Sequence, residues 1–445
     1  MRRFVLGAFV IAAAATGAAR QGAVKDSSSP APTFNKDVLP ILQKNCQSCH
    51  RPGQIGPMSL LTYQEARPWA QAISRQVIAR AMPPWFADPK QGTFLNNRSL
   101  RQSDIDTIAT WVDRGAPEGD PEQAPPPVKW PEHGWLIEPE VVVSLPDYPV
   151  PESGIIEWEN LAIPGPFKDD TWLTSLEVLS SEPSVVHHMC VAFKEHNPET
   201  AYNRYEWMEV LRDQQGVGIR PRGARPSQGR PQERSGEGWV LTREVGSTEV
   251  KRRFGRPTIS TAGTFCAVPG QTLRDFRQYD AATLIPGGYD IVVNIHHNPN
   301  GKAVVDRTKI GLTTTKQPPK KKFVEFNASG ATSDFAIPPN DANYLAPKID
   351  VTFQREAELV WMLPHMHMRG KDVTYTVIHP SGLREVVLHV PHYDNSKANH
   401  HNPNPNVWVY EGQQPWEEMF AGLFAVTVDR GVDDTQLTRS FLRSQ

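Results

Sequence analysis

The chain has few cysteines, little net charge and no long apolar segment after its first residues. Four cysteines among 445 residues exclude a small disulfide-rich scaffold. The formal net charge of -2 gives no basis for binding nucleic acid or a membrane surface. After residue 19 no segment approaches the roughly 18 uninterrupted apolar residues of a transmembrane helix. We therefore expect a mature protein with no membrane span and no nucleic-acid partner.

The first residues have the layout of a secretory signal peptide. Arg2 and Arg3 precede an apolar run from Phe4 to Ala15, and small residues follow it. The run is short for a membrane helix, although an uncleaved anchor is the alternative. We predict a signal peptide at residues 1–19 and a periplasmic or secreted protein.

Length and composition predict several domains. A chain of 445 residues fits about three domains. A helical part is expected at residues 33–120, then a Pro-rich spacer at 121–135, then an all-β region with many turns. Residues 212–256 are rich in Arg and have no periodicity, so we expect an irregular surface insertion, with a docking loop for an acidic partner as the alternative.

The segment Cys46-Gln-Ser-Cys49-His50 is typical of covalent haem attachment. Both thiols can form thioethers to one porphyrin edge, and the adjacent His can become the proximal iron ligand. A zinc site would need a second Cys/His pair nearby, and a redox dithiol does not need the trailing His. The sequence therefore predicts haem c bound through Cys46, Cys49 and His50.

Three helices are expected around this motif, at Phe34–Asn45, Leu61–Arg80 and Ser103–Arg114, the last with Ser103 as its N-cap. Such a group of short helices around one cofactor is typical of a small cytochrome c.

Two methionines, Met58 and Met82, are candidates for the distal iron ligand. Met82 precedes Pro83 and Pro84, which favour an extended segment that can lay a methionine across the haem face. We expect Met82 to be this ligand. The alternative is a core methionine and a haem that is five-coordinate or bound by a second His.

A second group of candidate metal ligands lies in the β-rich part. His365 and His367 are two positions apart, so in a strand they point to one face and can bind a single metal. Met419 strengthens this pattern, because a thioether is a soft ligand that favours Cu(I) and is rarely useful to zinc. Two imidazoles and a thioether leave room for oxygen.

His187 and His188 are adjacent, and strict strand alternation would send their rings to opposite faces. Binding one metal with both requires a bulge or a strand end. Either His296 or His297 can complete a three-His site. The remaining cysteines, Cys190 and Cys266, form either a disulfide or two buried free thiols.

These motifs resemble the copper type II, ascorbate-dependent monooxygenases, typified by peptidylglycine α-hydroxylating monooxygenase and dopamine β-monooxygenase. The whole chain is similar to a bacterial subgroup with a cytochrome c domain fused in front of that fold. The resemblance covers about residues 33–428 and rests on one ordered set: His-His-Met, His-x-x-Pro-Asn-Gly-Lys, His-x-His-x-x-Gly and Trp-Glu-Glu-Met.

The resemblance implies a multidomain fold, in which a small all-α cytochrome c domain precedes two all-β sandwiches of the jelly-roll type in tandem. The sandwiches are expected at residues 136–315 and 316–445, facing each other across a cleft. After Pro391 the family usually carries a further strand pair, whereas here His392 follows directly. The second sandwich is therefore expected to be shortened, which puts the frame around Met419 in question.

The resemblance also implies two copper ions. The histidines expected to bind the copper that passes electrons are His187, His188 and His296. The likeness favours His296 over His297, where the family often has Tyr. The residues expected to bind the copper that takes up oxygen and abstracts hydrogen are His365, His367 and Met419. The haem is expected to replace or relay the electrons of ascorbate.

We therefore predict an exported copper monooxygenase that hydroxylates a C–H bond with electrons relayed through haem c. Its expected partners are O2, a small-molecule or peptide substrate, and a periplasmic electron donor, with ascorbate or another one-electron donor as the source of electrons. The alternative is a non-catalytic electron-transfer or copper-binding protein, which the shortened second half favours and the retained Met419 disfavours. A structural or partner-binding sandwich with an electron-transfer head would need no such ligand set.

Overall fold

The computed structural model describes residues 30–198, 200–208, 238–244, 250–255, 265–329, 336–341, 343–346, 348–393, 409–410, 418–433 and 437–444. The predicted signal peptide at 1–19 lies outside the described residues. Within them the chain is mostly β-sheet with few helices, as expected. None of the helices found there has both the length and the apolar character needed to cross a membrane.

The α-helices of the described residues all lie in the front part of the chain. They are α1 (Leu39–Asn45), α2 (Tyr63–Ala66), α3 (Ala70–Ile78) and α4 (Gln102–Asp113). A π-helical turn covers Phe34–Val38, and 3-10 turns cover Arg67–Trp69, Pro121–Gln123 and Arg277–Tyr279. A buried cluster that includes Phe34, Leu42, Ile108 and Trp111 holds α1 and α4 together.

Two helix predictions need correction. The helix expected at Leu61–Arg80 is divided into α2, a 3-10 turn and α3 around Pro68, because proline lacks the backbone donor that a helix interior needs. The N-cap expected at Ser103 was wrong: α4 starts at Gln102 with Arg101 as its N-cap, and Ser103 lies inside the helix.

Strands fill the rest of the described chain. They are β1 (Val141–Ser144), β2 (Tyr148–Val150), β3 (Glu159–Ile163), β4 (Thr171–Leu179), β5 (Val186–Lys194), β6 (Glu206–Met208), β7 (Gly238–Glu244), β8 (Val250–Gly255), β9 (Phe265–Ala267), β10 (Leu273–Asp275), β11 (Ala281–Ile285), β12 (Asp290–His297), β13 (Val304–Asp306), β14 (Lys309–Thr315), β15 (Lys321–Ser329), β16 (Ala336–Ile337), β17 (Lys348–Phe353), β18 (Glu358–His365), β19 (Val373–Ile378), β20 (Arg384–Val390), β21 (Val409–Tyr410), β22 (Ala421–Asp429) and β23 (Thr438–Ser444).

Two large sheets carry most of these strands. The first has the order β1-β14-β4-β11-β15-β22-β18, with β10 also paired to β4, and the second has the order β8-β7-β6-β3-β12-β5-β9. Strand pairs β2–β13, β16–β21, β17–β23 and β19–β20 form small sheets. One buried cluster contains Leu161 and Ile291 of the second sheet and Leu173 and Ile310 of the first, so the two sheets pack face to face.

The first sheet continues across the boundary expected at residues 315/316. Parallel pairing of β11 with β15, with Ala281 opposite Lys321, joins the two halves, and β22 and β18 extend the sheet. A buried ion pair crosses the same junction, with 4.0 Å between Nη1 of Arg274 and Glu325. The strand that ends at His365 therefore belongs to the same sheet as the strands of the first half.

Two segments that were expected to be irregular contain residues with defined contacts. Of the Arg-rich segment 212–256 the structure describes residues 238–244 and 250–255, which form β7 and β8, pair in antiparallel fashion and extend the second sheet; the rest of the segment lies outside the described residues. The Pro-rich spacer lies against the helical part, since Gln43 donates a 3.0 Å hydrogen bond to the carbonyl of Pro126. The guanidinium carbon of Arg51 also lies 4.2 Å from the ring centre of Trp130.

Candidate metal centres

The first histidine group is built where β5 and β12 pair. His296 lies opposite His188, but the register shifts at the next position, so that His297 lies opposite Val186. His187 is therefore the extra residue of a β-bulge. This is the irregularity that adjacent His187 and His188 need in order to turn towards one point.

The geometry of this group suits a metal ion. One ligand atom from each of His187, His188 and His296 lies within 4.8 Å of the others, and the ring centres are 5.3 to 5.5 Å apart. His188 and His296 are buried, whereas His187 is exposed at the rim. Trp158, which the sequence did not single out, packs edge-on to His188 at 5.0 Å, and its indole nitrogen lies 3.0 Å from Nδ1 of His296.

The second histidine group lies at the end of β18, with the ring centres of His365 and His367 5.1 Å apart. The two groups meet, because the ring centres of His188 and His365 are 6.4 Å apart. The resemblance implied two halves facing each other across a cleft. At this pair of rings the halves are instead in contact.

Burial keeps the central rings neutral. It lowers the pKa of His296 to about 3 and that of His365 to about 4. Burial, reinforced by the neighbouring imidazoles, also lowers the pKa of His188 well below its ordinary value. Nε2 of His296 and Nε2 of His365 are buried and have no hydrogen-bond partner. A buried polar atom without a partner is costly, and neutral imidazole is the form that binds metals, so the group fits a metal ion.

Strand pairing brings Met419 to the second histidine group. β22 pairs with β18 so that Ala421 lies opposite His365. The pairing ends there, and Met419 lies two residues before Ala421 in the chain. Its backbone N–H and that of His367 donate to the same oxygen of Glu418, so the two backbone segments lie close together.

A buried carboxylate fixes the same arrangement. Oε1 of Glu418 accepts hydrogen bonds from the backbone N–H of His367 at 2.6 Å and of Met419 at 3.0 Å. Oε2 accepts one from the N–H of Arg369 at 3.0 Å. Glu418 thus connects the chain on both sides of the second group. It belongs to the Trp-Glu-Glu-Met motif, but nothing in the sequence indicated this role.

His297 is engaged elsewhere. Its ring is fully buried, with Nδ1 3.4 Å from Glu159 and Nε2 3.2 Å from Asp306, and it stacks on Tyr148. Burial opposes its charge, but the hydrogen bonds to Asp306 and Glu159 raise the pKa of His297. Because both ring nitrogens have carboxylate partners, His297 is poorly suited to bind a metal, and His296 is the histidine that faces His188.

Cys190 and Cys266 form a disulfide between β5 and β9. Of the two alternatives left open by the sequence, the bonded state is the one present. Such a bond fits an oxidising compartment.

The haem motif follows α1 in a tight turn. The N–H groups of Cys49 and His50 both donate to the carbonyl of Cys46, at 3.1 and 2.9 Å, which brings the thiols and the imidazole together. Nδ1 of His50 lies 3.3 Å from the carbonyl of Met58, an acceptor that holds the proton on Nδ1 and leaves Nε2 for a metal. A Cβ on Gly56 would lie 2.7 Å from Nδ1 of His50, so only glycine fits there.

The two distal candidates differ in their environment. Met58 packs against the core of the helical part, whereas Met82 is 43% exposed. Ile78 and Phe86, close to Met82 in the chain, are 58% and 41% exposed. Met82 is therefore the more accessible of the two methionines.

No protein-family model matches the chain, and no curated protein is significantly similar to it. The family resemblance therefore rests on the motifs themselves.

Proposed function

We propose that the chain is a haem/copper oxidoreductase of the copper type II monooxygenase kind, which hydroxylates a C–H bond with O2 and electrons from a covalently bound haem c. The observation that carries the proposal is the meeting of histidine rings from β5, β12 and β18 at one place. The rings that meet there are His187, His188, His296, His365 and His367. Imidazole suits several metals, and Met419, whose backbone shares the Glu418 carboxylate with that of His367, is what favours copper.

In this proposal His187, His188 and His296 hold one copper, and His365, His367 and Met419 hold the other. Bound copper and haem would supply one-electron chemistry and the activation of oxygen. The chain itself contributes neutral ligands, since burial disfavours their protonated forms. Glu418 contributes position, because it ties His367 and Met419 to one carboxylate oxygen.

The helical part at 33–120 is proposed as the cytochrome c domain. Cys46 and Cys49 would attach the haem, His50 would bind its iron, and Met82 would be the distal ligand. The hydrogen bond from His50 to the Met58 carbonyl supports this assignment, because it orients the ring and fixes its tautomer. The strands at 136–315 and those at 316–445 are proposed to form the tandem jelly-roll sandwiches of the family, joined by the pairing of β11 with β15.

An exported location completes the proposal. Residues 1–19 would be the signal peptide, and the Cys190–Cys266 disulfide supports a periplasmic or secreted protein. The partners would be a periplasmic electron donor, O2, and a small-molecule or peptide substrate. Ascorbate is a further candidate one-electron donor.

One observation favours a second function, non-catalytic electron transfer or copper binding. The rings of His188 and His365 are in edge contact, with centres 6.4 Å apart. Between them there is less room than a substrate-bearing cleft requires. An electron carrier needs no such space.

Oxygen uptake by the copper-loaded, reduced protein separates the two functions, with a panel of small-molecule and peptide substrates as probes. We expect substrate-dependent uptake that Met419→Ile abolishes, because Ile cannot donate a sulfur lone pair, while haem reduction stays unchanged. Met362→Ile, at a partly buried methionine of β18, is the matched control and should keep its uptake. Uptake by Met419→Ile at the normal rate, or loss of its haem reduction, would contradict the monooxygenase proposal.

A further inference from the structure

The haem motif touches the β-rich part at one tight turn. A Cβ built on Gly270 would lie 3.3 Å from Sγ of Cys49 and 2.8 Å from Nη1 of Arg98. Arg98 also donates a 2.5 Å hydrogen bond to the carbonyl of Gly270. With φ at +78°, Gly270 has a left-handed backbone conformation that favours glycine. Both the close approach to Cys49 and the backbone conformation therefore call for glycine at this position.

This turn continues into the strand that pairs with the strand of His188. Val268 and Gln271 exchange backbone hydrogen bonds of 3.1 and 2.8 Å across the turn, and β9 ends at Ala267, just before it. Ala267 lies opposite Met189, the residue after His188. The Cys190–Cys266 disulfide ties the same two strands covalently. The backbone from Gly270 to Ala267 and the pairing of Ala267 with Met189 thus connect the turn with the three-His group.

We propose that electrons pass from the haem to the three-His centre through this contact, from Cys49 across the Gly270 turn and along the β9–β5 pair. This inference rests on the proposed function. With haem and copper bound, each transfer would take one electron from the haem iron, from Fe(II) to Fe(III), and would reduce one Cu(II) to Cu(I). No bond forms or breaks, no proton moves, and the disulfide stays oxidised.

A second contact of the helical part offers the competing route. The N–H of Asp88 donates a 2.7 Å hydrogen bond to the carbonyl of His389 in β20, and the Asp88 carboxylate lies 3.6 Å from Nδ1 of that residue. Nearby, Phe94 packs against the buried cluster that contains Met366, between His365 and His367. Electrons that used this contact would reach the second histidine group first. The two contacts can be disrupted separately.

The test injects one electron photochemically into the haem of the full-length, haem- and copper-loaded protein. The readouts are reoxidation of the haem absorbance and loss of the Cu(II) electron-paramagnetic-resonance signal. Arg98→Ala should slow haem reoxidation severalfold, because it removes the hydrogen bond that ties the Gly270 turn to the helical part. Arg98→Lys should restore most of the rate, since an ammonium can still donate to that carbonyl. Arg98 is exposed, so its removal leaves no buried cavity.

Two controls complete the design. Arg101→Ala is the matched exposed arginine, paired with Asp104 on α4, and should leave the rate unchanged. Asp88→Ala removes the carboxylate contact with His389 on the competing route and keeps the backbone hydrogen bond, and it should also leave the rate unchanged. A normal rate in Arg98→Ala, or an equal slowing in Asp88→Ala, would overturn the route.

Metal content is measured first in every variant. A wild-type protein that lacks haem or copper, or whose haem is never reoxidised by copper, overturns the proposed function and this route together. A loaded wild-type protein that transfers the electron while Arg98→Ala is unaffected overturns the route alone.

Discussion

The backbone N–H of His367 donates a 2.6 Å hydrogen bond to Oε1 of Glu418, a buried carboxylate oxygen that also accepts from the N–H of Met419. This one oxygen therefore links the backbone of His367 to that of Met419. The second sandwich was expected to be shortened, and this link keeps the chain that carries the Met419 thioether close to the chain that carries the two imidazoles.

Glu418→Ala should weaken the second copper site. Three backbone N–H groups would lose their acceptor, at a cost of about 1–3 kcal/mol for each that stays buried. We expect X-ray absorption of the Cu(I) protein to lose its copper–sulfur contribution while imidazole scattering remains. Glu356→Ala, at an exposed glutamate of the same half, is the matched control. An unchanged sulfur contribution in Glu418→Ala would show that Met419 is positioned without this carboxylate.

His296 and His297 should respond in opposite ways to substitution. His296→Ala should reduce copper binding with a modest loss of stability, because it removes a proposed ligand. His297→Phe keeps the stacking on Tyr148 but removes the imidazole that Glu159 and Asp306 share in the interior, which should cost about 3–5 kcal/mol. Copper titration and denaturant unfolding of both variants provide the measurements. Loss of copper from His297→Phe, with full retention in His296→Ala, would reverse the assignment.

Removal of the disulfide should destabilise the fold. The bond links positions 76 residues apart, and the Cys190→Ala/Cys266→Ala variant should lose about 2–5 kcal/mol of unfolding free energy. Urea unfolding of this variant beside the oxidised wild-type protein measures the effect. If the two midpoints coincide, the pairing of β5 with β9 is maintained by packing alone.

Stability should fall as the pH rises from about 4.5 to about 7 through Glu325. Burial raises the pKa of this carboxyl from 4.5 to about 7, although Arg274 opposes the shift. The folded state therefore holds a proton that the unfolded chain releases within this window. Protonated Glu325 makes its full contribution to the free energy of unfolding below pH 4.5. This contribution is lost as the pH rises through the pKa of the folded state, and the free energy of unfolding falls by on the order of 3 kcal/mol.

Glu325→Gln should remove this part of the pH dependence, because an amide does not titrate. Unfolding free energies at the two ends of the window, with exposed Glu356→Gln as the control, test it. An equal slope in Glu325→Gln and wild type would mean that Arg274 keeps the carboxylate ionised.

Several features of the candidate sites could be predicted from residues that are close together in the sequence. The adjacency of His187 and His188 predicted a bulge, which is present. The spacing of His365 and His367 predicted one strand face, but β18 ends at His365 and His367 lies beyond it, although the two ring centres are 5.1 Å apart. The helix before Cys46 was also expected. These features depend on neighbours in the chain, which a sequence displays directly.

The features that sequence reasoning missed depend on distant partners. Glu418 holds N–H groups that lie 49 and 51 residues away, and His297 pairs with Glu159 from 138 residues away. The parallel pairing of β11 with β15 and the contact of His188 with His365 arise from sheet assembly. The hydrophobic periodicity of a sequence does not reveal such contacts, because packing decides which distant strands pair.

The most direct test of the haem/copper account is the ratio of copper to haem in the exported protein after copper loading and removal of loosely held metal. The account predicts two copper ions for each covalently bound haem. It also predicts that His296→Ala and Met419→Ile each reduce copper binding and leave the haem in place. A protein that carries no haem, or that retains fewer than two copper ions for each haem, would contradict it.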